Sequence, residues 1–215
     1  MSRKLILFPF GGNSCEAVDV ILAINRIKEE WDVLGFIDDD PQAWGKELLG
    51  VKVLGGKEVL KKYPDVQILA VVGNPGNYLK RQEITDQVNT QKSRFATIIH
   101  PTAQVSPDAQ IGYNTLVMAN TVISCGVTIG NHCIILPNTV ISHNSVIGDY
   151  CCIGSNVSIS GRVTIKKNCY IGSGTSVRDQ VTIAEKVLVG IGSNVIGDIK
   201  SQSTVIGNPA KELRK

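Results

Sequence analysis

Aromatic residues are scarce, 5% of a 215-residue chain, and none of them interleaves with basic residues. With a formal net charge of only +3, that scarcity argues against a nucleic-acid partner, which wants a strongly basic face and stacking rings. No apolar run reaches the roughly 18 residues that a membrane-crossing helix needs. The opening MSRKLILFPFGGN has a basic pair and a short apolar run, but the run ends in Gly11-Gly12-Asn13 and not in a small-residue cleavage site. It reads as a buried strand and not as a signal peptide, and the chain is expected in the cytoplasm. Six cysteines are present, yet none forms a CxxC pair, which suggests a reducing compartment and not a disulfide framework. Histidines number three, His100, His132 and His143. The last two fall at different positions of a six-residue repeat, so no three-histidine metal site, and no metal, is expected.

What the chain has in abundance is period. Every sixth residue from Val105 to Val195 is Val or Ile: Val105, Ile111, Val117, Ile123, Ile129, Ile135, Ile141, Ile147, Ile153, Ile159, Ile165, Ile171, Val177, Ile183, Val189 and Val195. A fixed hexapeptide period marks a parallel β-helix, in which three hexads make one triangular coil. The aliphatic residue should point inward and stack on its counterpart eighteen residues later. The residue four places on is small or β-branched throughout, from Ala109 to Ile199, as expected for a second inward position. Cys133, Cys151 and Cys169 share that position. They read as a ladder of small core residues more than as a metal or redox site, because a buried thiol behaves as a small hydrophobe. The count never slips between 105 and 195, so no loop interrupts the prism.

Residues 1–100 form a different domain from 101–215. An apolar run at 4–8, a helical face of Ala17, Val20, Ile21, Ile24 and Ile27 within Glu16–Lys28, and a run at Trp31–Ile37 alternate as strand, helix, strand. Next come an extended piece at 51–55, a short helix at 58–62, a strand at Val66–Val72, a helix over about 77–88 and a fourth strand at Phe95–Ile99. Such alternation predicts a small Rossmann-like parallel sheet. Ligands bind such sheets at the carboxyl ends of the strands. Those ends carry Gly11-Gly12-Asn13, Asp38-Asp39 and Gly73-Asn74. The glycine pair is not the dinucleotide GxGxxG pattern, but it lets backbone N–H groups meet an anion at a helix N-terminus. Asp38-Asp39 suits a ribose or base, or else a solvated turn.

Five segments together resemble one family: Gly11-Gly12-Asn13, Phe36-Ile37-Asp38-Asp39-Asp40, Ile99-His100-Pro101, Ser142-His143-Asn144-Ser145-Val146-Ile147-Gly148-Asp149 and Val205-Ile206-Gly207-Asn208-Pro209-Ala210. They resemble the nucleotide-sugar acetyltransferases of the sialic-acid O-acetyltransferase type, which include the bacillosamine and perosamine N-acetyltransferases. The resemblance runs from about residue 4 to 211. It implies a homotrimer of left-handed parallel β-helices, an exception to right-handed crossovers. It further implies acetyl-CoA as co-substrate in the groove between prisms, a nucleotide-linked amino sugar held by the N-terminal domain, and a histidine on the prism as general base.

By resemblance His143 is that base, and imidazole is the side chain suited to taking a proton near neutrality. Gly161, eighteen residues on, would offer its backbone N–H to the thioester carbonyl. Ser173, Gly174, Gly190, Ile191 and Gly192 would line the pantetheine, and Pro209 and Lys211 would lie near the adenine end. Gly11, Gly12, Asn13, Asp38, Asp39, Gly73 and Asn74 would hold the nucleotide sugar. Two residues depart from the family pattern: Asn144 stands where an acidic residue commonly follows the histidine, and Asn13 stands where the glycine-rich loop usually carries His. Asn can orient an imidazole by a hydrogen bond but not by charge. The expected activity is N-acetylation of a nucleotide-linked amino-deoxysugar for glycan or polysaccharide biosynthesis. The alternatives are O-acetylation of sialic acid or a related sugar, and a non-catalytic β-helix scaffold.

Overall fold

The computed structural model describes residues 2–213; Met1 and residues 214–215, at the outer ends of the two expected domains, lie outside the described residues. The apolar run near the start forms β1 (Arg3–Phe8), buried over its last four residues. It leads into α1 (Gly12–Ile27), which buries Ala17, Val18, Val20 and Ile21. Ile27, expected on that buried face, is instead exposed, because the helix stops there and the chain turns away. After α1 come β2 (Trp31–Phe36) and an antiparallel hairpin of β3 (Glu47–Leu48) and β4 (Val51–Lys52). A 3-10 segment at Lys57–Lys62 precedes β5 (Gln67–Ala70). The sheet is parallel with order β2-β1-β5, so the chain's first strand is its centre.

Two expected elements differ. The helix over 77–88 is a 3-10 turn at Tyr78–Lys80 followed by a short α2 (Arg81–Asp86). The Asn74 side chain accepts N–H bonds from Gly76 and Asn77 and holds a turn that delays the helix. The run Phe95–Ile99 does not add a fourth strand to the small sheet. Phe95 makes a single bridge to Ile68, whereas Ile98–Ile99 pair with Leu116–Val117 and become the first rung of the prism.

From there the chain winds as two-residue strands in three faces, each rung pairing in parallel with the one eighteen residues on. The first face holds 104–105, 122–123, 140–141, 158–159, 176–177 and 194–195; the second runs from 110–111 to 182–183. The third starts at 98–99 and ends with Thr204–Ile206 and an antiparallel tail, Lys211–Glu212. The first residues of the hexads are buried from Val117 to Val195, while Val105 and Ile111 at the open end are only half-buried. Three residues after each, from Ile111 to Val189, comes a corner position in left-handed conformation. Asn holds it at 114, 120, 138, 144, 156 and 168, and Gly at 126, 174 and 192, the residue types that tolerate positive φ most easily.

The second inward position is more than small. Where it is polar it satisfies itself on the next coil: Thr139 Oγ1 donates to Gly154 O at 2.7 Å and Ser145 Oγ to Ser160 O at 3.0 Å. The Sγ atoms of Cys133, Cys151 and Cys169 donate in the same way to the carbonyls of Gly148, Lys166 and Ala184, at 3.2, 3.1 and 3.0 Å. The three thiols are core hydrogen-bond donors, and burial pushes the Cys133 thiol up to about 12.

The hexad count fails in the last coil. Ile199, expected at the second inward position, bridges to Ile183, and Leu188 pairs with Thr204. The coil is two residues short. The Asp198 carboxylate accepts the Thr182 N–H at 2.7 Å, as a backbone carbonyl does for Thr164 one coil earlier.

The two parts share a core. Leu116, Ile134 and Cys152, outward residues of the third face, are buried among Leu5, Leu7, Ala17 and Val71 of the small sheet and its helix.

Candidate active site

His143 and Asn144 form the corner between the first and second faces, and both are exposed. His143 Nδ1 lies 2.9 Å from Asn144 Oδ1. A carboxamide oxygen only accepts, so Nδ1 carries the proton and Nε2 keeps its lone pair. The left-handed backbone at Asn144 (φ 59°) turns the carboxamide back along the corner. There it lies over Gly126 one coil away, where a Cβ would stand 2.7 Å from Asn144 Nδ2.

One coil further on, Gly161 lies against the ring: a Cβ there would sit 2.6 Å from His143 Nε2. The neighbouring ladder bonds use the carbonyls of both residues, Arg162 N–H to His143 O and Gln180 N–H to Gly161 O. The Gly161 N–H takes no partner among the described residues. A free imidazole nitrogen and a free backbone donor therefore open onto one exposed corner. Such a pair can accept a proton and stabilise a developing oxyanion.

The three strand-end loops of the N-terminal domain do converge. The Asp38 carboxylate accepts the Phe10 N–H at 2.9 Å and the Asp40 N–H at 2.8 Å. Asn13 Nδ2 donates to Gly73 O at 2.7 Å and to Val71 O at 3.3 Å. Asn74 shapes its own turn, and Asp39 pairs with Lys57 at 2.7 Å, a partner that the sequence did not mark. At the start of α1 no side chain caps the helix, and a Cβ on Gly11 or Gly12 would meet nothing within 4 Å. The first turn is left uncapped, and its N–H groups suit an anion.

The glycine column lies on a third site, the corner between the third and first faces. Gly174 and Gly192 take left-handed φ values of 72° and 64°, Ser173 Oγ accepts the Ser155 N–H at 3.2 Å, and Ile191 is 80% exposed. Gly190 packs under Ile206, leaving no room for a Cβ. Pro209 and Lys211 are exposed on the terminal segment.

Within one chain these groups stay apart. The Gly73 loop rests on Ile134 and Cys152 of the third face, whereas His143 lies at the corner opposite that face. The Gly190–Gly192 turn is across the first face and three rungs further along, about 14 Å at ~4.8 Å per rung. Among the described residues no cluster of His, Cys, Asp or Glu could hold a metal ion, and no helix is long and apolar enough to cross a membrane.

Residues 94–207, more than half of the chain, match the family model of the GMPPB C-terminal domain. The chain belongs to that family. Solved structures of similar proteins extend the likeness over the N-terminal domain. PerB from Caulobacter crescentus, in complex with CoA and GDP-perosamine, is 26% identical with a TM-score of 0.85, over 100% of this chain and 98% of that one. The acetyltransferase domain of PglB from Neisseria gonorrhoeae, in complex with acetyl coenzyme A, is 28% identical with a TM-score of 0.83, over 99% and 100%. A UDP-N-acetylbacillosamine N-acetyltransferase from Bacillus subtilis is 39% identical over 62 residues, a stretch that spans 29% of this chain and only 27% of that protein. This family member shares with those two solved structures a small parallel sheet followed by a left-handed parallel β-helix.

Proposed function

We propose that the chain is an acetyl-CoA-dependent N-acetyltransferase acting on the amino group of a nucleotide-linked amino-deoxysugar. One observation carries the assignment: His143 Nε2 is free and lies against Gly161, whose N–H is also free. The likeness over nearly the whole chain to enzymes bound to CoA and GDP-perosamine supports the substrate class.

His143 Nε2 takes a proton from the amine as its nitrogen attacks the thioester carbonyl. The Gly161 N–H hydrogen-bonds the oxyanion of the tetrahedral intermediate. When that collapses, the new amide forms, the C–S bond breaks and the CoA sulfur leaves as a thiol, taking the proton that the His143 imidazolium gives back. Asn144 holds the ring in the tautomer that this needs, but adds no charge to the imidazolium that forms.

In this reading residues 1–100 hold the nucleotide sugar and 101–215 carry out the transfer. The uncapped start of α1 meets a phosphate, and Gly11, Gly12, Asn13, Asp38, Asp39, Gly73 and Asn74 surround the nucleotide. Ser173, Gly174, Gly190, Ile191, Gly192, Pro209 and Lys211 line the CoA. Since one chain keeps these groups apart, a neighbouring copy must complete the site, and a homotrimer does so for every corner. The cytoplasm is the proposed compartment, in keeping with six unpaired thiols.

The test is thiol release from acetyl-CoA against UDP-, GDP- and dTDP-linked 3-amino and 4-amino deoxysugars and free sialic acid. Turnover of a nucleotide-linked amine is expected. Turnover of sialic acid alone would make the enzyme an O-acetyltransferase, and none at all would leave a scaffold.

A further inference from the structure

The corner between the second and third faces is unlike the other two. Its left-handed positions are Asn114, His132, Tyr150, Asn168, Lys186 and Gln202, and the first five each touch the N-terminal domain. His132 O and Tyr150 O accept from the two Nη atoms of buried Arg81, both at 2.9 Å. Asn168 Nδ2 donates to Leu79 O at 3.5 Å and Tyr78 Oη to Lys186 O at 3.4 Å. His132, Tyr150 and Lys186 hold a left-handed backbone conformation that side chains other than Gly and Asn adopt at a cost. Two of them, His132 and Tyr150, stack ring on ring at 4.6 Å and 2°.

Asn114 is the most deeply placed, fully buried. Its Oδ1 accepts the Ala70 N–H at 2.7 Å and its Nδ2 donates to Ala70 O at 2.8 Å. The carboxamide thus pairs with the free edge of β5 as another strand would. Its second amide proton goes to His132 Nδ1 at 2.8 Å.

Ala70 is the last residue of β5, and it runs directly into the Val71–Gly73 segment, whose carbonyls hold Asn13 at the start of α1. Gly73 sits directly on the prism, with room for no Cβ beside Ile134. From the prism to the uncapped helix end there are therefore only three links: Asn114 to Ala70, Ala70 to Gly73, Gly73 to Asn13.

We propose that Asn114 is a positioning residue for the nucleotide sugar, fixing the carboxyl end of β5 and the Gly73-Asn74 loop against the prism. The proposal rests on the assignment of those loops to the nucleotide sugar. Asn114 touches no reacting atom, so its loss should weaken capture of the sugar nucleotide and spare the chemistry at His143.

The test compares full-length Asn114→Ala with Asn138→Ala, which removes a side chain at a similar φ (60°) from a corner that the N-terminal domain does not touch. In Asn114→Ala, amide hydrogen exchange over residues 71–77 should quicken. KM for the nucleotide-linked amine should rise about tenfold while kcat and KM for acetyl-CoA stay put, the pattern of a lost contribution to substrate binding that leaves the chemistry alone. Asn138→Ala should do neither. Asn114→Gly keeps the left-handed backbone without strain and covers the case in which the Ala variant does not fold; it should move both readouts in the same direction. Unchanged exchange at 71–77, or equal rises in both KM values, overturns the proposal. If the native enzyme turns over no nucleotide-linked amine, the assigned function falls, and exchange at 71–77 still decides the role of Asn114.

Discussion

His143 Nδ1 and Asn144 Oδ1 are 2.9 Å apart, and that contact decides which ring nitrogen faces Gly161. The neighbouring residue acts here through geometry alone, because a carboxamide brings no charge to an imidazolium.

Replacing His143 by Ala or Asn should lower turnover by about 10² to 10⁴, the usual contribution of a positioned general base. The residue is exposed, so the melting temperature should not move. Full activity in either variant would remove His143 from the mechanism.

Asn144→Ala frees the ring to turn and should lower kcat by about tenfold, at the low end of what a lost orienting partner costs. Asn144→Asp retains an acceptor at the same place and should hold kcat at the native level or above it. A kcat for the Asp variant as low as that of the Ala variant would count against the tautomer argument.

Gly161→Ala puts a methyl 2.6 Å from His143 Nε2, and the ring must swing away. The exposed corner can accommodate a methyl without disturbing the core. We expect kcat to fall by about 10², as for a displaced catalytic group, with CoA binding by calorimetry retained.

His132 gives a pH dependence of stability. Burial holds its pKa down at about 4, against an ordinary 6.5, with Asp86 and Asp149 pulling it up and Arg81 and Lys92 pulling it down. The ring accepts from Asn114 at Nδ1, so a proton there would set donor against donor. Above pH 6.5 the ring is neutral folded or unfolded. As pH falls from 6.5 to 4 only the unfolded chain gains the proton, and stability drops by about 3 kcal/mol in all. Melting curves of the native protein and His132→Asn should therefore diverge in slope within that window, the variant being flatter. Parallel slopes would mean that His132 titrates freely in the fold.

Much of this is legible in the sequence alone. The inward column from Val117 to Val195 follows from period, because eighteen residues return the chain to the same face. The loops at Gly11, Asp38 and Gly73 meet because parallel strands put their carboxyl ends on one side. The features that escaped exist only once coils stack. Nothing in the sequence marks Arg81; its partners are two carbonyls, His132 O and Tyr150 O, that lie eighteen residues apart in the chain and one rung apart in space. His132 could be weighed only as a metal ligand. Ile199 kept the hexad count but not the hexad place, since a side-chain acceptor, Asp198, can stand in for a turn of backbone. Ile98–Ile99 looked like a strand and are one, but nothing local says which sheet a two-residue strand will join.

A solenoid is held rung to rung, so its coils can open from an end one after another with little penalty passed inward. Here residues 70–81 of the N-terminal domain lie along five successive corner positions, from Asn114 to Lys186. That strip works as a splint. Rungs that never touch are tied to one another through it, and the middle of the β-helix should melt in a single cooperative step together with the sheet that covers it, leaving gradual fraying to the terminal coils beyond the splint's reach.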